Sequence, residues 1–488
     1  MGLRLFGKNA VVYAIGNIGL RAASFVLIPL YTHSLSMKNY GLLMTLLLTI
    51  QFMLIVMNCG MRPALIRFTT EYEKSNTISA LLGTSCFINL LGGLVITVLS
   101  LTFFIPFFRG VLHSENVNFL VFLSCGISLL QSLSVHVMAY YRAQNQSIKF
   151  MIAGIVAAVI LFVTSYIFLF ILRMGITGAL LAKAATYSII LLLISFDIFS
   201  RTGVRVSFAL VPKLVRFGIP LVFSMSGELV IIGASIYFLS FLCGLEAVAI
   251  YSLGHKLAAM LAIVLILPFQ LSFGPYVFAN LDSPQVRKQM SQLLTYFVLA
   301  ISAVSFCILF GSRLLLPFIA PPEYSSAFMV TVLLLPAMAF LGMYYFAETL
   351  LNAVRKTHII GLTMTVCAIF SIILNYVLIR FLNRYGAIIA TNASFVLAAS
   401  ILLIIGEKKF PIPIEWRRVG IAVGLFLAVI ILNLALLTIS NSNYYLISII
   451  TICVLACLFH FGSFYNEQEK LLLRNAGEKV KTIFTGIL

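Results

Sequence analysis

The sequence predicts an all-α integral membrane protein of about fourteen transmembrane helices. Hydrophobic residues make up 62% of the 488-residue chain, and charged residues make up only 9%. A soluble protein of this size carries far more charge on its surface. The apolar residues also occur in runs of about 20 or more, the length that a helix needs to cross the hydrocarbon core of a bilayer. Composition and run length together indicate a chain that lies mostly within a membrane.

Polar breaks divide the chain into fourteen candidate spans, which we number 1 to 14. The spans are 10–33, 40–61, 79–107, 118–140, 150–172, 176–198, 214–242, 247–278, 291–311, 328–350, 358–380, 385–406, 419–440 and 444–465. Span 8, at 247–278, is longer than a single crossing requires. Pro268 and Pro275 predict a kink or an early end within it, because proline interrupts helical hydrogen bonding.

The lysines and arginines give an independent test of this count. With the amino terminus placed in the cytoplasm, 23 of them fall in the inner segments and six in the outer loops. The six are Lys38, Arg109, Arg173, Arg313, Arg380 and Arg384. A missed or surplus span would mix the two populations from that point on, so the asymmetry supports the count and places both termini in the cytoplasm. It also explains the net charge of +18 without a nucleic-acid partner, for which no basic patch is present.

The cysteines and the one apparent nucleotide motif indicate no chemistry. All eight cysteines fall inside apolar spans, with neither metal-site spacing nor the polar loops that a disulfide framework needs. GLRLFGKN at 2–9 is one residue short of a phosphate-binding loop, and Asn9 stands where Ser or Thr would bind magnesium. The outer loops are short and nearly free of carboxylates. We therefore expect no enzyme, no metal and no cofactor.

The sequence contains two copies of a unit of six spans. GALLAKAATY at 178–187 matches GAIIATNASF at 386–395. Two further sets keep nearly the same offset: Ala143 and Tyr166 align with Ala353 and Tyr376, and Ala23, Ser24 and Tyr40 align with Ala234, Ser235 and Tyr251. Because six is an even number, the copies share one orientation and are related by an axis along the membrane normal. We expect lobes at 1–200 and 201–406, with spans 13 and 14 and an amphipathic cytoplasmic tail at 407–488.

Three cations remain within the predicted spans: Arg21, Lys183 and Lys256. Each would cost roughly 2.5–3.5 kcal/mol if it faced lipid, so we expect all three to face a water-filled interior. Asn17 lies on the same helical face as Arg21, four residues away. Glu228 is the only carboxylate that the spans place deep in the membrane. The predicted interior is therefore cationic.

Other polar residues in the spans form single-faced stripes. In span 11 the stripe consists of Thr363, Cys367, Ser371 and Asn375. Small polar residues of this kind are ordinary helix-packing surface in membranes. Tyr344, Glu348 and Asn352 form a stripe near the inner end of span 10, where we expect the carboxylate to reach water.

Two segments carry a resemblance to a known family. These are PLYT-x-x-LS-x-x-x-YG at 29–41, which follows the arginine of span 1, and AIYSLGHKLAAML at 249–261. With the repeat and the number of spans, they resemble the polysaccharide exporters of the MOP superfamily, the O-antigen-type (Wzx) flippases. The resemblance covers the full length of the chain. It implies two six-helix bundles around a central cavity, together with two extra helices.

The resemblance and the cationic interior together predict a flippase of the bacterial cytoplasmic membrane. Its substrate would be a polyprenyl-diphosphate-linked oligosaccharide, moved by alternating access, with membrane lipid and other polysaccharide assembly proteins as partners. Arg21, Lys183, Lys256 and Asn17 would bind the headgroup, because a cationic cavity attracts a diphosphate. The lobes would rock about Pro29, Pro220 and Pro268, which weaken their helices locally.

Glu228 is the predicted ion-coupling group, since no nucleotide site is present to supply energy. The repeat aligns it with Asn17, one turn from Arg21, so Glu228 and Arg21 could pair in one state of a proton- or sodium-driven cycle. A permanent strut between them is the alternative. Three other functions remain open: a multidrug exporter of cations, which would need several buried carboxylates, a lipid II flippase, and a scaffold that transports nothing.

Overall fold

The computed structural model is a bundle of long α-helices. It describes residues 25–74, 77–112, 116–144, 146–279, 286–354 and 356–436. In these ranges twelve helices are long and apolar enough to cross a membrane, and they correspond one to one with spans 2 to 13. Span 14 lies outside the described residues, as does span 1 except for its last part, where 25–34 are helical. The predicted all-helical membrane fold is confirmed.

We label the helices in chain order. They are α1 (25–34), α2 (Met37–Met57), α3 (Met61–Lys74), α4 (Ile78–Thr102), α5 (Ile105–Leu112), α6 (Val117–Ala143), α7 (Ser147–Tyr166), α8 (Gly175–Thr202), α9 (Val211–Cys243), α10 (Leu245–Ala258), α11 (Leu267–Ala279), α12 (Val286–Ile319), α13 (Ala327–Ala353), α14 (Thr357–Leu382), α15 (Arg384–Lys409) and α16 (Trp416–Ala435). Short π-helical turns extend α7 over Ile167–Ile171 and precede α11 over Ala262–Ile266.

Individual residues account for several helix boundaries. The Oγ of Ser36 accepts a hydrogen bond from the N–H of Asn39 at 3.3 Å, which caps the first turn of α2. Gly244 separates α9 from α10 with a φ of 89°, a conformation that glycine adopts without steric cost. Pro268 has no N–H to donate, and the π-helical turn just before it accommodates the missing bond.

Three local predictions differ from the structure. Span 3 is predicted to run to residue 107, but α4 ends at Thr102 and α5 is a separate helix, with Pro106 in its first turn, where proline is favoured. The inner segment after span 2 forms the helix α3. Span 8 is interrupted at residues 259–266, ahead of Pro268 and not at it.

The helices pack as two groups, which we call the first group (α2–α8) and the second group (α9–α16). In the first group α6 packs against α2, α4 and α8, and in the second group α13, α14 and α15 pack against one another, with α9 against α14 and α15. The two groups meet where α2 packs against α9 and α10. The interface between the groups therefore runs along α2.

Two glycines permit the closest approaches between the groups. A Cβ on Gly41 would lie 1.8 Å from the carbonyl oxygen of Leu245, and a Cβ on Gly60 would lie 2.1 Å from the carbonyl oxygen of Gly218. Any larger residue would force these backbones apart. The first contact is at the end of the bundle that the charge distribution predicts to be outer, and the second is at the predicted inner end.

The start of α9 is held by the first group, although the rest of the helix packs in the second. Lys213 pairs with Glu71 of α3 at 2.8 Å, and the N–H of Ser207 donates to the Oγ of Thr84 at 2.9 Å. Pro220 lies in α9 between these anchors and the part that packs on α14. Because proline removes a helical hydrogen bond, α9 bends most easily at this position when the groups move.

The predicted orientation can be tested with single cysteines at exposed positions, in a background whose eight native cysteines are replaced by serine. Lys38→Cys and Glu323→Cys are expected to react with a membrane-impermeant thiosulfonate added to intact cells. Ser200→Cys and Lys408→Cys are expected to react only after the cells are opened. Outside labelling of the second pair would reverse the topology.

Candidate functional site

The structure describes three of the five residues that the sequence predicts as binding or coupling groups. Lys183 lies on α8, Lys256 on α10 and Glu228 on α9. Arg21 and Asn17 lie outside the described residues, so their roles and the pairing of Arg21 with Glu228 stay predictions. The structure brings the two lysines together and places Glu228 in a different cluster.

Lys183 and Lys256 approach each other from the two helix groups, close enough for their charges to repel. Each ammonium lies over an aromatic ring: the Nζ of Lys183 is 6.0 Å from the ring centre of Tyr187, and that of Lys256 is 5.7 Å from Tyr40. A ring face attracts a cation but does not neutralise it. Among the residues described, neither lysine forms an ion pair with a carboxylate.

Buried polar atoms without hydrogen-bond partners in the described part of the chain lie beside Lys256. They are the Oη of Tyr40, the Oγ of Ser252 and the Nε2 of His255. Most buried polar atoms in proteins have a partner. Hydroxyl and imidazole groups that lack one are available to donate to the oxygens of an anion.

A small cavity of about 170 Å³ lies beside Lys256. Its walls come from α2 (Met44, Leu47, Leu48 and Gln51), α9 (Ile236) and α10 (Ser252, His255 and Lys256). Cavities that enclose a whole ligand usually measure about 300–1,000 Å³. In the conformation described, this space therefore accommodates a charged group and not an entire headgroup.

The internal repeat shows what stands in the place of Lys183 in the second group. Thr391 is the aligned residue, and its Oγ lies 2.9 Å from the Oγ of Ser235 and 3.0 Å from the Oη of Tyr251. Ser235 in turn donates to the Oδ1 of Asn375 at 2.9 Å. All four residues are fully buried. They form a neutral network in which each hydroxyl is satisfied, and such networks rigidify a core.

The described residues of the first group do not repeat this network, and Ser24, which aligns with Ser235, lies outside them. Tyr40 aligns with Tyr251, yet its Oη has no partner in the described part of the chain, and the residue aligned with Thr391 is the cation Lys183. A charge within the membrane is costly and by default marks a functional site. The repeat thus has a bonded hydroxyl at this position in one group and a lysine without a described carboxylate partner in the other.

Glu228 belongs to a second polar cluster, between α9 and α13. The Oη of Tyr345 donates to its Oε2 at 2.6 Å. Glu348 lies close enough to Glu228 for the two carboxylates to repel, and it bonds Asn352. Tyr344 is near both. The expectation of a single deep carboxylate is wrong, because Glu348 is half-buried beside Glu228.

Two adjacent carboxylates favour a shared proton or a bound cation, since either one relieves their repulsion. This cluster and the lysine pair have opposite charge, so the interior is not uniformly cationic as predicted. The stripe of Tyr344, Glu348 and Asn352 is visible in the sequence. Its position near a span end suggested contact with water, and no sequence signal indicates that α9 covers it.

The sequence over residues 6–281 matches the family profile described as polysaccharide biosynthesis protein, which is more than half of the chain. The chain belongs to the polysaccharide biosynthesis protein family. Among curated relatives, an uncharacterized membrane protein of Methanocaldococcus jannaschii is 21% identical over 393 residues, which are 74% of this chain and 76% of the relative.

Solved structures share the fold of this polysaccharide biosynthesis family member. The lipid II flippase MurJ in an inward closed conformation has a TM-score of 0.69 at 14% identity, and the alignment covers 92% of this chain and 98% of that chain. An inward-facing MATE multidrug resistance transporter has a TM-score of 0.63 at 15% identity, with 83% and 94% covered. A transporter from Pyrococcus furiosus, described by the reverse polarity of its binding pocket, has a TM-score of 0.60 at 13% identity, with 83% and 95% covered. At these identities the likeness shows the fold alone.

Exchanging the aligned residues of the two helix groups separates structure from binding. Lys183→Thr is expected to raise the thermal unfolding temperature in detergent, because it removes a buried charge, while any anion binding is lost. Thr391→Lys is expected to lower that temperature, because it breaks the bonds to Ser235 and Tyr251. A thiol-independent unfolding assay, such as intrinsic fluorescence, measures both. Equal destabilisation by the two changes would contradict the assignment of Lys183 to binding.

Proposed function

We propose that this protein is a flippase that carries polyprenyl-diphosphate-linked oligosaccharide across the bacterial cytoplasmic membrane. The observation that carries the proposal is the pair Lys183 and Lys256, which lie on different helix groups within electrostatic range of each other and form no ion pair with a described carboxylate. A diphosphate supplies the missing negative charge. The family assignment and the MOP-superfamily fold support a transport role.

The placement of the lysines on different helix groups suits alternating access. A diphosphate bound between them attracts both groups, and the site loosens when the groups separate. Unpartnered donors such as the hydroxyls of Tyr40 and Ser252 would bond the phosphate oxygens, with Arg21 and Asn17 as further headgroup ligands. Pro220, in the segment of α9 that links the groups, supplies the bend for this motion, with Pro29 and Pro268 as further hinges.

Transporters of two other substrate classes share this fold. A lipid II flippase also handles a diphosphate, and the lysine pair does not distinguish the two sugars. A multidrug exporter would bind cations, and the Glu228–Glu348 pair would supply one anionic site for them. The lysine pair lies at the interface of the groups and the carboxylates lie within the second group, so the interface position favours an anionic substrate. The Pyrococcus furiosus transporter described by reverse pocket polarity is a precedent for such a change within the fold.

The carboxylate cluster is the proposed energy-coupling site. Glu228 and Glu348 would take up a proton or a sodium ion together, and Tyr345 would orient Glu228 through its hydrogen bond. Because Glu228 lies on α9, the helix that contacts both groups, loading this site affects how α9 bends. Coupling of this kind needs no nucleotide.

Binding of the diphosphate can be tested with undecaprenyl diphosphate and undecaprenol in nanodiscs of phosphatidylcholine. Lys183→Ala and Lys256→Ala are each expected to weaken diphosphate binding about thirtyfold or more, because truncating one partner of a buried charge pair costs at least about 2 kcal/mol. Binding of undecaprenol should change little. Lys→Arg at either position should restore part of the affinity.

Lys149→Ala is the matched control for these variants. It also removes a lysine from a membrane-spanning helix, but Lys149 pairs with Asp197 at 3.1 Å and lies outside the proposed site. Undiminished diphosphate binding by both Lys183→Ala and Lys256→Ala would remove the basis of the proposal. Tight binding of tetraphenylphosphonium at the same site would favour drug export instead.

The coupling role can be tested in proteoliposomes that carry undecaprenyl-diphosphate-linked N-acetylglucosamine. Glu228→Gln and Glu348→Gln are expected to abolish the acceleration of flipping by an imposed proton or sodium gradient, while substrate binding is retained. Glu246→Gln, at an exposed position in the first turn of α10, is the control and should respond as the parent does. A full gradient response by Glu228→Gln would return this residue to a structural role.

A further inference from the structure

A second and larger cavity lies between the helix groups, on the side of α2 and α9. It has a volume of about 660 Å³ and is enclosed by α2, α4, α5, α9 and α14. This is the size of a ligand site. Its walls are almost entirely hydrocarbon, with aromatic side chains such as Phe52, Phe107 and Phe241. We call this cavity the α2–α9 crevice.

The lining of the crevice does not favour a polar ligand. The hydroxyls of Thr49 and Tyr237, which reach it from opposite groups, bond each other at 2.9 Å. Several of its side chains are half-exposed, among them Phe241 (59%) and Ile372 (42%), on helices that cross the membrane. An occupant therefore enters sideways from lipid and is a hydrocarbon chain.

The predicted outer end of the crevice is covered by α5. The Oγ of Ser240 on α9 donates to the carbonyl oxygen of Val111, and Phe108 and Leu112 of α5 are buried. This contact ties the first group to the second directly above the cavity. A chain in the crevice consequently lies along α9, below a closed end.

The crevice adjoins the cavity of about 170 Å³ beside Lys256, which we call the lysine cavity. Leu48 lines both spaces, and a Cβ on Gly233 of α9 would lie 3.3 Å from the Cδ2 of Leu48. Leu48 therefore lies between an apolar space open to lipid and a cavity lined by Lys256. The two spaces together match an amphiphile with a long chain and a phosphate group.

We propose that the α2–α9 crevice binds the isoprenoid chain of the transported lipid while its diphosphate occupies the lysine cavity. The inference rests on the proposed function, which supplies the isoprenoid, but its geometry is independent of the sugar. It places the chain between α2 and α9. Leu48 and Gly233 are then the residues past which chain and headgroup connect.

The test uses photocrosslinking from p-benzoylphenylalanine at Phe241 in nanodiscs of phosphatidylcholine that contain undecaprenyl diphosphate. The control carries the same probe at Phe381, which is 79% exposed, near the predicted outer end of α14 in the same group. The ratio of prenyl to phosphatidylcholine adducts, measured by peptide mass spectrometry, is expected to be about tenfold higher at Phe241, which corresponds to about 1.4 kcal/mol of preferential binding. Equal ratios at the two positions would overturn the inference.

A second pair of variants tests whether a bulky side chain in the crevice displaces the isoprenoid chain. Ile372→Trp, which projects into the cavity, is expected to reduce the prenyl adduct at Phe241 and to slow flipping. Ile373→Trp, the neighbouring lipid-exposed residue that does not line the crevice, should change neither. Retention of the prenyl enrichment in Ile372→Trp would contradict the proposed position of the chain.

The outcomes separate this inference from the proposed function. Equal adduct ratios at Phe241 and Phe381, together with diphosphate binding that depends on Lys183 and Lys256, would refute the crevice and leave the flippase standing. A different outcome is that undecaprenol gives the same prenyl enrichment as undecaprenyl diphosphate, and that Lys256→Ala gives the same enrichment as the parent. This outcome would support the crevice as a chain site and count against its link to the diphosphate.

Discussion

The hydrocarbon core of a membrane supplies neither hydrogen bonds nor counterions, and this constraint decides where each polar group of the protein lies. One buried cluster of the second helix group satisfies it internally, with Ser235, Asn375, Tyr251 and Thr391 bonded to one another. The closed network joins α9, α10, α14 and α15. The neighbouring helices can pack around it because it leaves no polar atom that needs water.

The first helix group departs from this arrangement at the aligned position, and the departure locates the proposed site. Lys183 replaces a satisfied hydroxyl, and Tyr40 loses the partner that Tyr251 has. Together with Lys256 from the other group, these residues concentrate positive charge and unused donors at the interface that must open and close during transport. The aligned positions of the duplicated unit thus differ in chemistry, which is what the proposed binding role of Lys183 rests on.

In the proposed function, three clusters of the interior have different roles. The lysine cavity would bind the charged group, the α2–α9 crevice the hydrocarbon chain, and Glu228 and Glu348 the coupling ion. All three contact or adjoin α9, which is anchored to the first group by Lys213 and packs in the second. Motion of this one helix can therefore connect the binding of substrate to the binding of an ion.

The sequence by itself determined the spans, the repeat and the charged residues that had to leave lipid, because apolar run length and the cost of a buried charge are local properties. Spans 2 to 13 and the inward placement of Lys183 and Lys256 follow from them. Only the tertiary structure decided which polar residues meet. Glu348 lies near the end of its span and was expected to reach water, yet α9 brings Glu228 beside it. Leu48 lines two cavities, although nothing in the residues next to it along the chain predicts this position. Contacts between helices distant in the sequence depend on how whole faces pack, and apolar periodicity along one helix does not specify its partner.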